Sequence, residues 1–259
     1  MLPQPARAAA PGRADPLLPL LDLPGVPDAL AGAREAVDRL LAHRVLRRRS
    51  AAVSSESALR GARASAALAG SDIPLADLRA GATGDPTVQG ALRVTGGLGP
   101  LVGVWDQAPL QALARLHVLA AAGVLPPDRL GRPGGSPGVA ARLRSLAELL
   151  TGGDTRAPGT LLAAVVHGEL ATVAPFGGVD ELVARAAERL TLITRGVDPK
   201  AVSVPEVGHS ERSDEYRSAL AGYAAGSADG VAGWLRHCAA AVELGALEGL
   251  AICEAVLRG

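Results

Sequence analysis

Val173-Ala174-Pro175-Phe176-Gly177-Gly178-Val179-Asp180-Glu181-Leu182-Val183-Ala184-Arg185 is the stretch on which the fold turns, and it carries the only Phe of the chain. The run from His167 to Val173 that leads into it is a His followed by a short apolar run, and Gly196 beyond it reads as a helix stop. Phe176 is expected to anchor the stretch in the core. Asp180 and Glu181 are adjacent carboxylates, a pair that satisfies free backbone N–H groups and faces the positive end of the dipole wherever it opens a helix. Glu181 and Arg185 are spaced i, i+4 and are expected to pair.

Around this stretch lie 259 residues, 48% of them hydrophobic, which supports a sizeable core. Aromatic residues make up only 2%, so packing must rely on Ala, Leu and Val at close approach. That composition suits helix against helix better than sheets, and the chain reads as all-α. Lys and Arg total 26, as do Asp and Glu, so no whole-chain field draws the protein to nucleic acid. Lys200 is the only lysine and Asn is absent, a skew that cautions against reading every Arg or Ala as functional.

Residues 1–25, rich in Pro and Ala, are read as a disordered tail. The apolar pieces Leu17-Leu18 and Leu20-Leu21 are cut by Pro16, Pro19 and Asp22, so neither a signal peptide nor a membrane span is expected there, and the location is read as cytoplasmic. A helix is predicted over residues 27–49, ending in Arg44, Arg47, Arg48 and Arg49. That cluster reads as a solvated helix end or as a dock for an acidic partner. Further helices are predicted after Asp85-Pro86, Asp106 to Pro109, Ser136-Pro137 and Arg156 to Pro158, and Gly196 reads as a C-terminal stop. From Asp229 onward an apolar stripe including Trp234, Cys238, Gly245, Gly249 and Cys253 predicts one long packing helix. Its two cysteines are too far apart along a helical rise to form a disulfide. The five His, at 43, 117, 167, 209 and 237, show no ligand spacing, and no metal site is read from them.

The quoted stretch resembles the signature loop of Fic (Fido-fold) nucleotidyl transferases, His-Pro-Phe-x-Asp/Glu-Gly-Asn-Gly-Arg-x-x-Arg. It keeps Pro175, Phe176 and the closing Arg185. Weaker matches in the same order run from about residue 50 to 245: Pro109 to His117, His167 to Val173, Leu190 to Val197, Tyr216 and Trp234-Leu235. The resemblance implies a Fido-like helical domain of about eight helices, with room for one short β-hairpin. Residues 26–100 then form an N-terminal helical region, and 101–259 the Fic-like core with its C-terminal helices.

In the family, the motif His is the general base, and Ala174 stands there; the acidic residue that holds the cation is replaced by Gly178. Val179-Asp180-Glu181 replaces Gly-Asn-Gly, and Leu182 the first Arg. The segment from Ser65 to Gly70 resembles the family's inhibitory helix, Ser/Thr-x-x-x-Glu-Gly/Asn, with Ala69 where the Glu belongs. The resemblance thus implies a degenerate Fic protein, inactive as an AMP transferase and serving as a regulatory module for a protein or small ligand. The alternative is an active nucleotidyl or phospho-transferase in which Asp180 or Glu181 replaces the base. Only that alternative implies ATP and Mg²⁺, with Gly177, Gly178 and Arg185 holding phosphate. The candidate site is therefore Ala174, Pro175, Phe176, Gly178, Asp180, Glu181 and Arg185, none of them established as catalytic. His167, two helical turns before Ala174, reads as a buried structural residue.

Overall fold

The helices open where Pro and short polar side chains allow. In the computed structural model, which describes residues 15–134, 136–152 and 155–258, the Asp85 carboxylate accepts from Thr87 and Val88 N–H to start one helix at Pro86. Ser136 does the same for Val139 ahead of Pro137. Each cap satisfies N–H groups that the first turn leaves without an intrahelical partner. Among the described residues the α-helices are α1 (Val26–Leu41), α2 (Ser50–Leu68), α3 (Leu75–Arg79), α4 (Pro86–Gly96), α5 (Val102–Trp105) and α6 (Pro109–Ala121). They continue as α7 (Pro137–Thr151), α8 (Gly159–Val173), α9 (Asp180–Thr194), α10 (Pro205–Glu211), α11 (Ser213–Ala225) and α12 (Ala228–Arg258). The all-α expectation holds. The helix number is twelve rather than about eight, because short pieces such as α3, α5 and α10 are too brief to show periodicity. In place of a hairpin, β structure among the described residues amounts to an isolated bridge between Ala122 and Leu125.

Two N-terminal expectations need correction. Of the segment read as a disordered tail, residues 1–14 lie outside the described residues, but Leu18–Asp22 form a 3₁₀ turn and Leu17 is buried. The helix predicted over 27–49 stops at Leu41. A separate 3₁₀ turn, Arg44–Arg47, tucks Val45 and Leu46 into the core, so core packing overrides helix continuation. Arg44, Arg47, Arg48 and Arg49 are exposed, and Arg49 donates to the Val256 carbonyl near the end of α12. A cation there complements the negative end of that helix.

The centre of the molecule is α8, whose buried residues run almost all round its circumference, packed antiparallel against α9. α12 packs on α8 and also on α1, α2, α10 and α11. Gly208 in α10 lets the helix lie directly on α12: a Cβ there would come 2.3 Å from the Ala241 carbonyl oxygen. Gly245 does the same from α12, where a Cβ would meet the Val204 carbonyl carbon at 2.5 Å. Gly196, with φ of 69°, ends α9 in the left-handed region that glycine favours. Cys238 and Cys253 are both free and buried. No helix among the described residues is long and apolar enough to cross a membrane.

Candidate functional site

The loop between α8 and α9 is held from both ends. Ala174 closes α8 with φ 42° and ψ 60°, its N–H donating to the Leu170 carbonyl, 3.0 Å. The Pro175 carbonyl accepts from Gly134 N–H, 2.6 Å. Phe176 is buried and lies flat on the His117 ring of α6, centroids 4.3 Å apart and planes 6° from parallel. The expectation that Phe176 anchors the loop is met.

Ala174 occupies a backbone region costing an L-residue with a side chain about 1–2 kcal/mol. Glycine would remove that strain but add about 0.4–1 kcal/mol of unfolded-state entropy to lose. Ala174→Gly is therefore expected to stabilise the chain by about 0.5 kcal/mol, read from the urea midpoint, whereas a β-branched residue there should destabilise it.

Asp180 defines the chemistry of this loop. It is buried at the first position of α9, and its carboxylate turns back: one oxygen accepts from Phe176 N–H at 2.8 Å, the other from Gly178 N–H at 2.9 Å. Backbone N–H groups beside a helix N-terminus make an anion cradle. Here the chain supplies the anion itself. Gly177 and Gly178 are exposed, Gly177 with φ of 64°, and Gly178 brings no carboxylate for a cation.

Arg185 is 1% exposed, its guanidinium enclosed in the core. Its Nε donates to the Ser65 hydroxyl at 2.7 Å and Nη2 to the Ser65 carbonyl at 3.0 Å, while Nη1 reaches Tyr216 Oη and Glu181 at 3.4 Å each. The expected partner, Glu181, is thus the longer contact, and its carboxylate is half exposed. Ser65, at the head of the segment that resembles an inhibitory helix, is the closer one. α2 thus holds Arg185 through the hydroxyl and the carbonyl of Ser65. Leu182 is buried.

Sequence spacing gave no reason to group the histidines, yet packing gathers three of them behind Arg185. His167 of α8, fully buried as expected, places Nδ1 2.8 Å from Glu188 Oε2 and Nε2 3.0 Å from Tyr216 Oη. His209 of α10 places Nε2 3.0 Å from the same Glu188 oxygen and Nδ1 3.0 Å from His237 Nε2. His237 Nδ1 in turn faces Glu215 at 3.4 Å. Trp234 walls the cluster and donates to the Ala164 carbonyl, 2.8 Å. Burial pushes the Glu188 carboxyl up, but attraction to His209 and His167 and their hydrogen bonds override it and hold the group well below the usual carboxylate range. Burial pushes His167 below its ordinary value against the pull of Glu188, and burial with repulsion from His209 lowers His237. The Cys238 thiol is driven up by burial and by the Glu188 charge. His117 stands apart: its Nδ1 accepts from Gly131 N–H at 2.9 Å, and burial, helped by Arg129, lowers it against the pull of Asp180.

No family sequence model and no curated protein sequence matches this chain. Solved structures do. The chain is similar to a Fic family protein from Desulfovibrio desulfuricans G20 with a TM-score of 0.69 and 21% identity, over 88% of this chain and 74% of that one. It is similar to Fic-1 from C. elegans with a TM-score of 0.72 and 19% identity, over 92% of this chain and 75% of that one. At these identities the likeness shows the fold, which is that of Fic proteins.

Proposed function

We propose that this Fic-fold chain is a pseudoenzyme, a binding or regulatory module that does not transfer AMP. The carrying observation is the Asp180 carboxylate seated on the Phe176 and Gly178 N–H groups, where a phosphate would have to bind. A second anion placed there meets occupied donors and like charge. Arg185, the retained motif Arg, spends its closest hydrogen bonds on Ser65.

The methyl of Ala174 accepts no proton, and losing a positioned base forfeits about 10²- to 10⁴-fold in rate. The alternative bases do not repair this. Asp180 has both oxygens on backbone donors, and Glu181 is a half-exposed partner of Arg185. A cytoplasmic location and a protein or small-molecule ligand belong to this reading, with the exposed Arg44, Arg47, Arg48 and Arg49 as the surface offered to an acidic partner.

Incubation with α-labelled ATP, Mg²⁺ and cell lysate tests it. No label is expected on any protein, and Ala174→His alone should restore none, since Gly178 and Leu182 still lack the acid and the first Arg. Reproducible labelling that disappears in Phe176→Ala and Arg185→Ala variants would refute the proposal.

A further inference from the structure

α8, α9, α10 and α12 each send one potential ligand to the same buried point: His167, Glu188, His209 and Cys238, whose ligand atoms all lie within 4.8 Å of one another. All four residues are buried. Glu188 Oε1 has no hydrogen-bond partner among the described residues; of the buried side-chain atoms so left, the others being His117 Nε2 and Arg195 Nε, it is the one beside other potential ligands. We propose that this cluster is a structural zinc site that ties the four helices together.

The hydrogen-bond directions favour an ion. His237 Nδ1 faces the Glu215 carboxylate, which only accepts, so the proton belongs on Nδ1 and Nε2 is left to accept. His209 must then donate from Nδ1 to His237, which leaves the His209 Nε2 lone pair aimed at Glu188 Oε2, 3.0 Å away. Two acceptors face each other unless a positive charge lies between them. A proton on His209 would fill that gap, but it would leave Cys238 Sγ and Glu188 Oε1 without a role. A divalent cation uses the carboxylate, both imidazoles and the thiolate at once.

The outer nitrogen of His209 is backed by His237 and Glu215 as a metal-bound histidine requires, and the Tyr216 hydroxyl facing the outer nitrogen of His167 must turn to accept from it when Nδ1 binds the ion. Zinc bonds of about 2.0–2.3 Å in a tetrahedron set ligand atoms about 3.3–3.7 Å apart, so the observed cluster needs shifts of about an ångström. One nitrogen–carboxylate–nitrogen–thiolate set suits zinc, since imidazole and thiolate are its usual ligands. Binding displaces the Cys238 thiol proton to solvent, and each imidazole keeps one proton on its outer nitrogen. Glu⁻, Cys⁻ and Zn²⁺ then sum to zero in the core. Four protein ligands close the coordination sphere, so the ion is structural and enters as the chain folds. The site stands whether or not the loop between α8 and α9 binds a nucleotide.

The test uses the full chain purified from zinc-supplemented medium and dialysed against a weak chelator. About one zinc per chain is expected, released only on unfolding. Refolding with Co²⁺ should give tetrahedral d–d absorption and a thiolate-to-cobalt charge-transfer band. Cys238→Ser should remove that band, and His237→Gln should weaken zinc binding by about 10-fold or more while leaving the ligands in place. A folded wild-type chain that neither retains zinc nor gives a cobalt spectrum overturns the proposal. So does zinc retained at the same level after Cys238→Ser with the variant still folded, or a cobalt spectrum with no thiolate band.

Discussion

Glu188→Ala is expected to destabilise the chain by about 3–5 kcal/mol, the range for breaking a buried ionic network by removing one partner. The reason is that the Glu188 carboxylate is the shared partner of His167 and His209, with neither imidazole reachable by water. Deleting it takes from both inner nitrogens the carboxylate they face, with the proton or cation it holds between them, at about 1–3 kcal/mol each, and adds a cavity between α8, α9 and α10. A domain of this size holds about 5–15 kcal/mol in total, so the variant should melt about 10 °C lower. Glu188→Gln keeps the shape and one acceptor and should cost less than half as much. Urea unfolding of the three proteins decides the matter: a loss below about 1 kcal/mol for Glu188→Ala would show that the cluster contributes little to holding the four helices.

The second large effect belongs to Asp180. Its two charge-assisted hydrogen bonds to backbone N–H are worth about 1.5–3 kcal/mol each, so Asp180→Ala should cost about 3 kcal/mol. Asp180→Asn retains one oxygen for one of the donors and should cost about half of that. The same substitution removes the internal anion and returns two N–H groups to the loop. Inorganic phosphate or pyrophosphate should therefore bind Asp180→Ala at least about 10-fold more tightly than wild type in calorimetry. Equal affinity for the two proteins would mean that the carboxylate is not what keeps phosphate away, and the pseudoenzyme reading would lose its main support. A destabilised but unchanged binder and a destabilised phosphate binder are distinguished in one titration series.

The helix-to-loop-to-helix character of residues 173–185 was legible through the resemblance to the Fic loop, and the residues that carry it act locally. Phe176 is the only Phe in a chain of small apolar residues, and Asp180 and Glu181 sit where a helix start wants carboxylates. The same holds for the caps at Asp85 and Ser136 and the stop at Gly196. What failed locally failed for a tertiary reason. Val45 and Leu46 turned into the core and broke the predicted helix, and Leu17 found a buried seat that its Pro-rich neighbourhood did not advertise.

By itself, the sequence determined an all-helical chain and the place in it of the stretch from Val173 to Arg185. Those follow from residue identity and from periodicities that span a few turns. Only the tertiary structure decided that Asp180 fills the cradle and that Arg185 turns to Ser65, 120 residues away in sequence. It also decided that His167, Glu188, His209 and Cys238 converge. Their meeting depends on how four helices cross, and the close approach of α10 and α12 over Gly208 and Gly245 is a fact of packing that no spacing along one helix encodes.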